Sequence, residues 1–190
     1  NEINNIKHNN FYLSGTMVGA GQVYFDAGET IETFDEKKLI ENIETIKTFD
    51  FQGTTKCPGL VHKDIWEIVG GWSEEFSPTG GDDTDFAMKL WQSDIRIFKG
   101  LGSCLTYHFG SITTRKKDKS LFTYLGSKGN KIFLKKWGIN INFFENFYLN
   151  AGLDKNKNFI FTKYDGPLKD PIKNLRYFKE LIKCELQLFY

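Results

Sequence analysis

Gly70-Gly71-Trp72-Ser73-Glu74-Glu75-Phe76, then Gly80-Gly81-Asp82-Asp83-Thr84-Asp85-Phe86 and, after two apolar runs, His108 form the stretch that decides how the chain reads. Just ahead of it, Lys63 to Val69 reads as a short helix stopped at Gly70-Gly71, where glycine takes the left-handed cap conformation. Trp72 to Gly81 is a loop punctuated by Pro78, Gly80 and Gly81. A second helix is expected from about Asp83, with Phe86, Ala87, Leu90 and Trp91 as its apolar positions. Ile95 to Phe98 and Cys104 to Tyr107 read as strands, the second closed by His108.

The chemistry sits in the loop. Gly80 and Gly81 allow backbone to approach a ligand closely. Asp82 and Asp83 fall at a helix N-terminus, where the dipole stabilises negative charge. A carboxylate held this way at the mouth of a cleft can take the proton of an attacking hydroxyl. Taken singly, each acid also reads as no more than a cap, and Asp85 as a first-turn acid. Trp72 reads either as a stacking surface or as an anchor for the loop, whereas Trp66, Trp91 and Trp137 read as core. Arg115 reads as a surface cation or as a partner for an anion.

Outward from this stretch, helices and strands alternate, so the class is α/β. Phe11 to Leu13 and Gln22 to Phe25 read as short strands separated by the Gly-rich run Gly15 to Gly21. A helix capped by Asp35 should bury Leu39, Ile40, Ile43 and Ile46. Leu121 to Trp137 looks helical, with Gly126 and Gly129 as weak points. Residues 138–167 read as irregular, and Asn174 to Phe189 as a terminal helix with Leu175, Phe178, Leu181 and Ile182 on one face. No opening strand runs into a Gly-rich helix turn, so a complete nucleotide-binding unit is not legible.

Composition narrows the classes. A chain of 190 residues with 40% hydrophobic and 26% charged residues reads as one soluble globular domain. The formal net charge of +1 gives no broad electrostatic case for nucleic acid. The three cysteines are far apart and lack metal-ligand spacing, so buried reduced thiols are expected. No apolar run is long enough to span a bilayer. The expected location is cytoplasmic, with a peripheral place at a membrane left open.

The segment from Gly70 to His108 resembles the acceptor-side signature of family 2 glycosyltransferases, in which a glycine pair, an aromatic and an acidic-aromatic step precede an acidic pair that opens a helix. The resemblance covers roughly residues 11–115. It implies a GT-A type α/β fold, with residues 1–120 as the acceptor-side part and 121–190 as a helical and irregular C-terminal extension. It implies transfer of a sugar from a nucleotide-diphospho-sugar to an acceptor hydroxyl of a glycan, lipid-linked or protein acceptor, with inversion. Asp83 matches the general base of the acidic pair. Asp82 stands where Glu is commoner, and Trp72, Gly80, Gly81 and Arg115 would contact substrate. His108 matches a position that ligates a divalent metal, manganese or magnesium, in some members.

Asp83-Thr84-Asp85 also has the Asp-x-Asp form of the family's metal motif, but a polar loop precedes it where a buried strand would be needed. The nucleotide-binding half and its own Asp-x-Asp are therefore expected upstream of Asn1. The alternative is a non-catalytic carbohydrate-binding or scaffold domain derived from such an enzyme. A hydrolase-like reading lacks the Gly-x-Ser-x-Gly elbow.

Overall fold

A computed structural model describes residues 2–55, 58–78, 80–110, 119–153 and 159–189. In chain order the elements are α1 (Glu2–Asn5), β1 (Phe11–Gly19), α2 (Glu36–Asn42), β2 (Phe51–Gln52), β3 (Gly59–Leu60), α3 (Lys63–Val69), α4 (Asp82–Gln92), β4 (Ile97–His108), α5 (Lys119–Trp137), α6 (Ile141–Phe147), β5 (Gly152–Leu153), β6 (Phe159–Ile160) and α7 (Leu175–Leu188). The protein is mixed α/β, with a four-stranded mixed sheet ordered β2-β4-β1-β3 and a separate β5-β6 pair.

The long strands β1 and β4 form the middle of the sheet and run parallel, from Phe11 opposite Ile97 to Gly19 opposite His108. The pairing slips between Gly15 and Thr16, which face Leu101 and Leu105, so three residues of β4 bulge out. The two strands expected at 95–98 and 104–107 are thus one strand with an irregularity, and the Gly-rich run after Phe11 lies largely inside β1. The second early strand is reduced to one bridge between Val23 and Val18.

Helix α4 covers the sheet. Phe86, Ala87, Leu90 and Trp91 are buried, and Tyr12 of β1 meets Phe86 and Phe98 edge to face. The same core runs on through Phe133 and Leu134 of α5, Phe143 and Phe144 of α6, and Tyr177 and Cys184 of α7. Residues on both sides of position 120 therefore share one apolar interior.

The caps follow local rules. Asp35 accepts the Lys38 amide at 2.8 Å, and Gly70 ends α3 with φ of 72°. Asn140 caps α6 through the Phe143 amide at 2.9 Å, giving a helix where irregular chain was expected. Two expectations of burial are corrected. Helix α2 has no buried residue, and Ile40 is 59% exposed. Cys184 is buried, but Cys104 is exposed in the bulged stretch of β4, and Cys57 lies outside the described residues. Among the described residues, no helix is long and apolar enough to cross a membrane.

Candidate functional site

Helix α4 begins at Asp82, and Asp82, Asp83 and Asp85 all lie in its first turn. Gly81 caps it with φ of 89°, after Gly80 at φ of 116°, and no side chain performs the capping. The acids of the first turn complement the positive end of the helix dipole in place of a side-chain cap. The Asp82 carboxylate turns back to accept the Gly80 amide at 3.1 Å, and that of Asp83 accepts the Thr84 amide at 2.9 Å.

The loop is clamped from outside. A side chain at Gly80 would press within 2.7 Å of the Leu125 carbonyl oxygen, and one at Gly81 within 3.0 Å of the Ile141 side chain. Gly129, which looked like a weak point of the helix, is where α5 passes directly over the Gly80 carbonyl. Gly126 and Ile141, beside this clamp, also line a groove of about 810 Å³ between α5, α6 and the end of α7. Residues packed against the acidic loop thus also line this groove, while the loop itself does not.

Asp85 is the residue that sequence reasoning undervalued. It is wholly buried and accepts three donors: Ser73 Oγ at 2.5 Å, Trp137 Nε1 at 2.7 Å and Lys136 Nζ at 3.0 Å. Lys136 also meets Glu75 at 2.7 Å. Burial pushes the Lys136 ammonium down, but the hydrogen bonds to Glu75 and Asp85 outweigh it and leave the pKa raised. The bond from Lys136 holds Glu75 below the usual carboxylate range. The cluster ties the loop 73–75 and α4 to the end of α5. No local signal marks it, because Lys136 and Trp137 lie some fifty positions further along the chain.

Trp72 and Trp66 stand together. Their rings are 6.4 Å apart and nearly perpendicular, and Trp72 lies 4.9 Å from Phe86. With Tyr12, Phe86 and Lys63 they line a cavity of about 430 Å³. Both indoles are 39% exposed, so Trp66 is not the core residue it was expected to be. Phe86 follows Asp83 by three positions, which places the carboxylate and the aromatic wall on neighbouring positions of one helix.

His108 sits elsewhere, at the C-terminal ends of the parallel strands. Its Nδ1 is 2.6 Å from the Ala20 carbonyl oxygen, an acceptor, so Nδ1 carries the proton. It lines a cavity of about 320 Å³ with Asp26, Glu29 and Tyr107. This cavity and that of Trp72 share no lining residue. Among the described residues no group of three His, Cys, Asp or Glu side chains is placed to hold a metal ion. Arg115 lies outside the described residues.

No family model, curated protein or solved structure matches this chain.

Proposed function

We propose that the chain is the acceptor-side part of a GT-A type glycosyltransferase, in which Asp83 is the general base. The observation that carries this reading is the position of Asp83. It opens α4 one turn before Phe86, the residue through which α4 joins the aromatic cavity of Trp66 and Trp72. Flat aromatic walls suit the apolar faces of a sugar ring, and a carboxylate one helical turn away, outside the cavity lining itself, suits its hydroxyls. The Asp85 cluster supports the reading, because it fixes the turn that carries Asp83 from both sides.

In this mechanism the Asp83 carboxylate takes the proton from the acceptor hydroxyl as that oxygen attacks the anomeric carbon. The bond to the nucleoside diphosphate breaks on the opposite face, and the configuration inverts. The donor would be held chiefly by residues outside this chain. A divalent ion is implied by the family resemblance alone. The described residues offer it His108 without a set of partners, so the mechanism assigns it no step.

The test is Asp83→Asn in the intact enzyme, assayed for transfer and for donor binding. Transfer should fall by about 10²–10⁴-fold while donor binding persists. Normal turnover would rule out the base. A second reading, a non-catalytic carbohydrate-binding domain, is favoured by the same aromatic cavity. It requires glycan binding that Asp83→Asn leaves intact, with no turnover of any nucleotide sugar by the wild type.

A further inference from the structure

Helix α7 has two apolar faces. Tyr177, Leu181 and Cys184 point into the core, with Tyr177 and Cys184 buried. Leu175, Phe178, Ile182 and Leu186 recur at spacings of three and four on a different face, and all are at least 48% exposed. Ile172 before the helix and Phe189 after it extend the row at 78% and 83% exposure. A contiguous exposed row of six large apolar side chains marks an interaction surface rather than scattered surface residues.

Charge decides what kind. Lys179 borders the row between Leu175 and Leu186, followed around the helix by Lys183 and Arg176. From Lys169 to Phe189 the chain carries five cations and three acids. Glu180 pairs with Lys183 at 2.7 Å, so these two cancel, and Asp170 pairs with Arg96 at 3.5 Å, which leaves Lys169, Lys173, Arg176 and Lys179 against Glu185. Protein interfaces are depleted of lysine, whereas an in-plane helix on a bilayer sets its apolar residues into the acyl boundary with lysines beside them at the headgroups. Helix α7, at 14 residues, has an apolar face without being apolar overall. A helix that lies on a membrane has this balance, and one that spans it does not.

We infer that α7 docks the protein onto an anionic lipid surface, with Leu175, Phe178, Ile182, Leu186 and Phe189 inserted and Lys179 at the phosphates. Leu186 also lines the large groove beside the acidic loop, so that groove opens next to the docked surface. The inference rests on α7 alone and stands whether or not Asp83 is catalytic.

The test is co-sedimentation of the full chain with phosphatidylcholine vesicles, with and without phosphatidylglycerol. Binding should need phosphatidylglycerol and weaken with salt. Lys179→Glu should weaken it at least about fivefold. Phe178→Ser combined with Ile182→Ser should reduce it at least about tenfold, with an unchanged circular dichroism spectrum. If that pair unfolds the protein, Leu175→Ser tests the same row, since Leu175 is 86% exposed. Absence of binding, equal binding to both vesicle types, or full binding by the serine variants would overturn the inference. So would a lipid-free dimer, seen by ultracentrifugation, that the serine variants abolish, because a second copy would then cover the row.

Discussion

Trp137 donates its indole N–H to Oδ1 of Asp85 across 2.7 Å, joining the last residue of α5 to the first turn of α4. The acceptor is a wholly buried carboxylate, so the bond is charge-assisted and has no water to replace it. Trp137→Phe keeps most of the ring and removes only the donor. It should cost about 1.5–3 kcal/mol in urea denaturation. A loss within error would mean that Lys136 and Ser73 satisfy Asp85 unaided.

Two glycines of α5 should respond in opposite directions to the same change. Alanine normally stabilises a helix interior by about 1 kcal/mol over glycine. At Gly126 an added methyl meets open space, so Gly126→Ala should follow that rule. At Gly129 it would collide with the Gly80 carbonyl, so Gly129→Ala should instead destabilise by about 1–3 kcal/mol. If Asp83 is the proposed base, Gly129→Ala should also lower transfer, because the displaced backbone leads into Asp83. Thermal melts of the pair check the sign, and a stabilised Gly129→Ala would refute the clamp.

A pH dependence follows from Lys99, a buried lysine that meets Glu2 at 2.8 Å and Asp50 at 2.9 Å. Burial would raise the Asp50 carboxyl, but the Gly102 amide and the Lys99 ammonium outweigh it and hold it below its ordinary 3.8. Its contribution to stability is therefore present above 3.8 and lost as pH falls from there through the lowered value. Burial would lower Lys99, but Glu2 and Asp50 raise it above its ordinary 10.5. Its contribution is present below 10.5 and lost as pH rises through the raised value. Lys99→Met should flatten both limbs of a plot of melting temperature against pH. A variant that keeps the wild-type slope in acid would show that other carboxylates account for it.

The same contacts explain what could be read from the sequence. Helix α4 was legible because Phe86, Ala87, Leu90 and Trp91 repeat at helical spacing and the acids mark its start. The single strand β4 was not, because Gly100 and Gly102 look like a turn. They are glycine because the Phe51 ring and the Phe49 backbone lie against them, close approaches made by residues some fifty positions away. Gly129 was misread as a weak point for the same reason. Asp83 and its helix N-terminus were visible locally, whereas the partners of Asp85 come from the end of α5 and have no local signature. Helix α6 was missed because seven residues with three phenylalanines carry little helical propensity, and its stability comes from burying Phe143 and Phe144.

The tryptophans offer the most direct check of the proposed acceptor site. Trp66 and Trp72 are 39% exposed in one cavity, while Trp91 is buried under Arg96, whose guanidinium carbon lies 4.0 Å from the ring centroid. A glycan stacked in the cavity should change the fluorescence of Trp66 and Trp72 and leave that of Trp91 unchanged. The assignment can be made with single substitutions. Trp72→Phe keeps a flat apolar wall against Phe86 and should retain most of the binding. Trp72→Ala removes the wall and should weaken glycan binding by about tenfold or more, the loss expected for one large aromatic surface. Trp66 is the poorer target, because its ring packs against Gly71, where an added methyl would lie 2.7 Å away, and truncation there disturbs the turn into the loop. Asp83→Asn supplies the control, since a base that acts only on the proton in flight contributes little to ground-state glycan binding. If glycans bind equally well to wild type and Trp72→Ala, with no fluorescence change, the cavity of Trp66 and Trp72 is not the acceptor site. The 810 Å³ groove beside Gly126 and Ile141 is then the place to look.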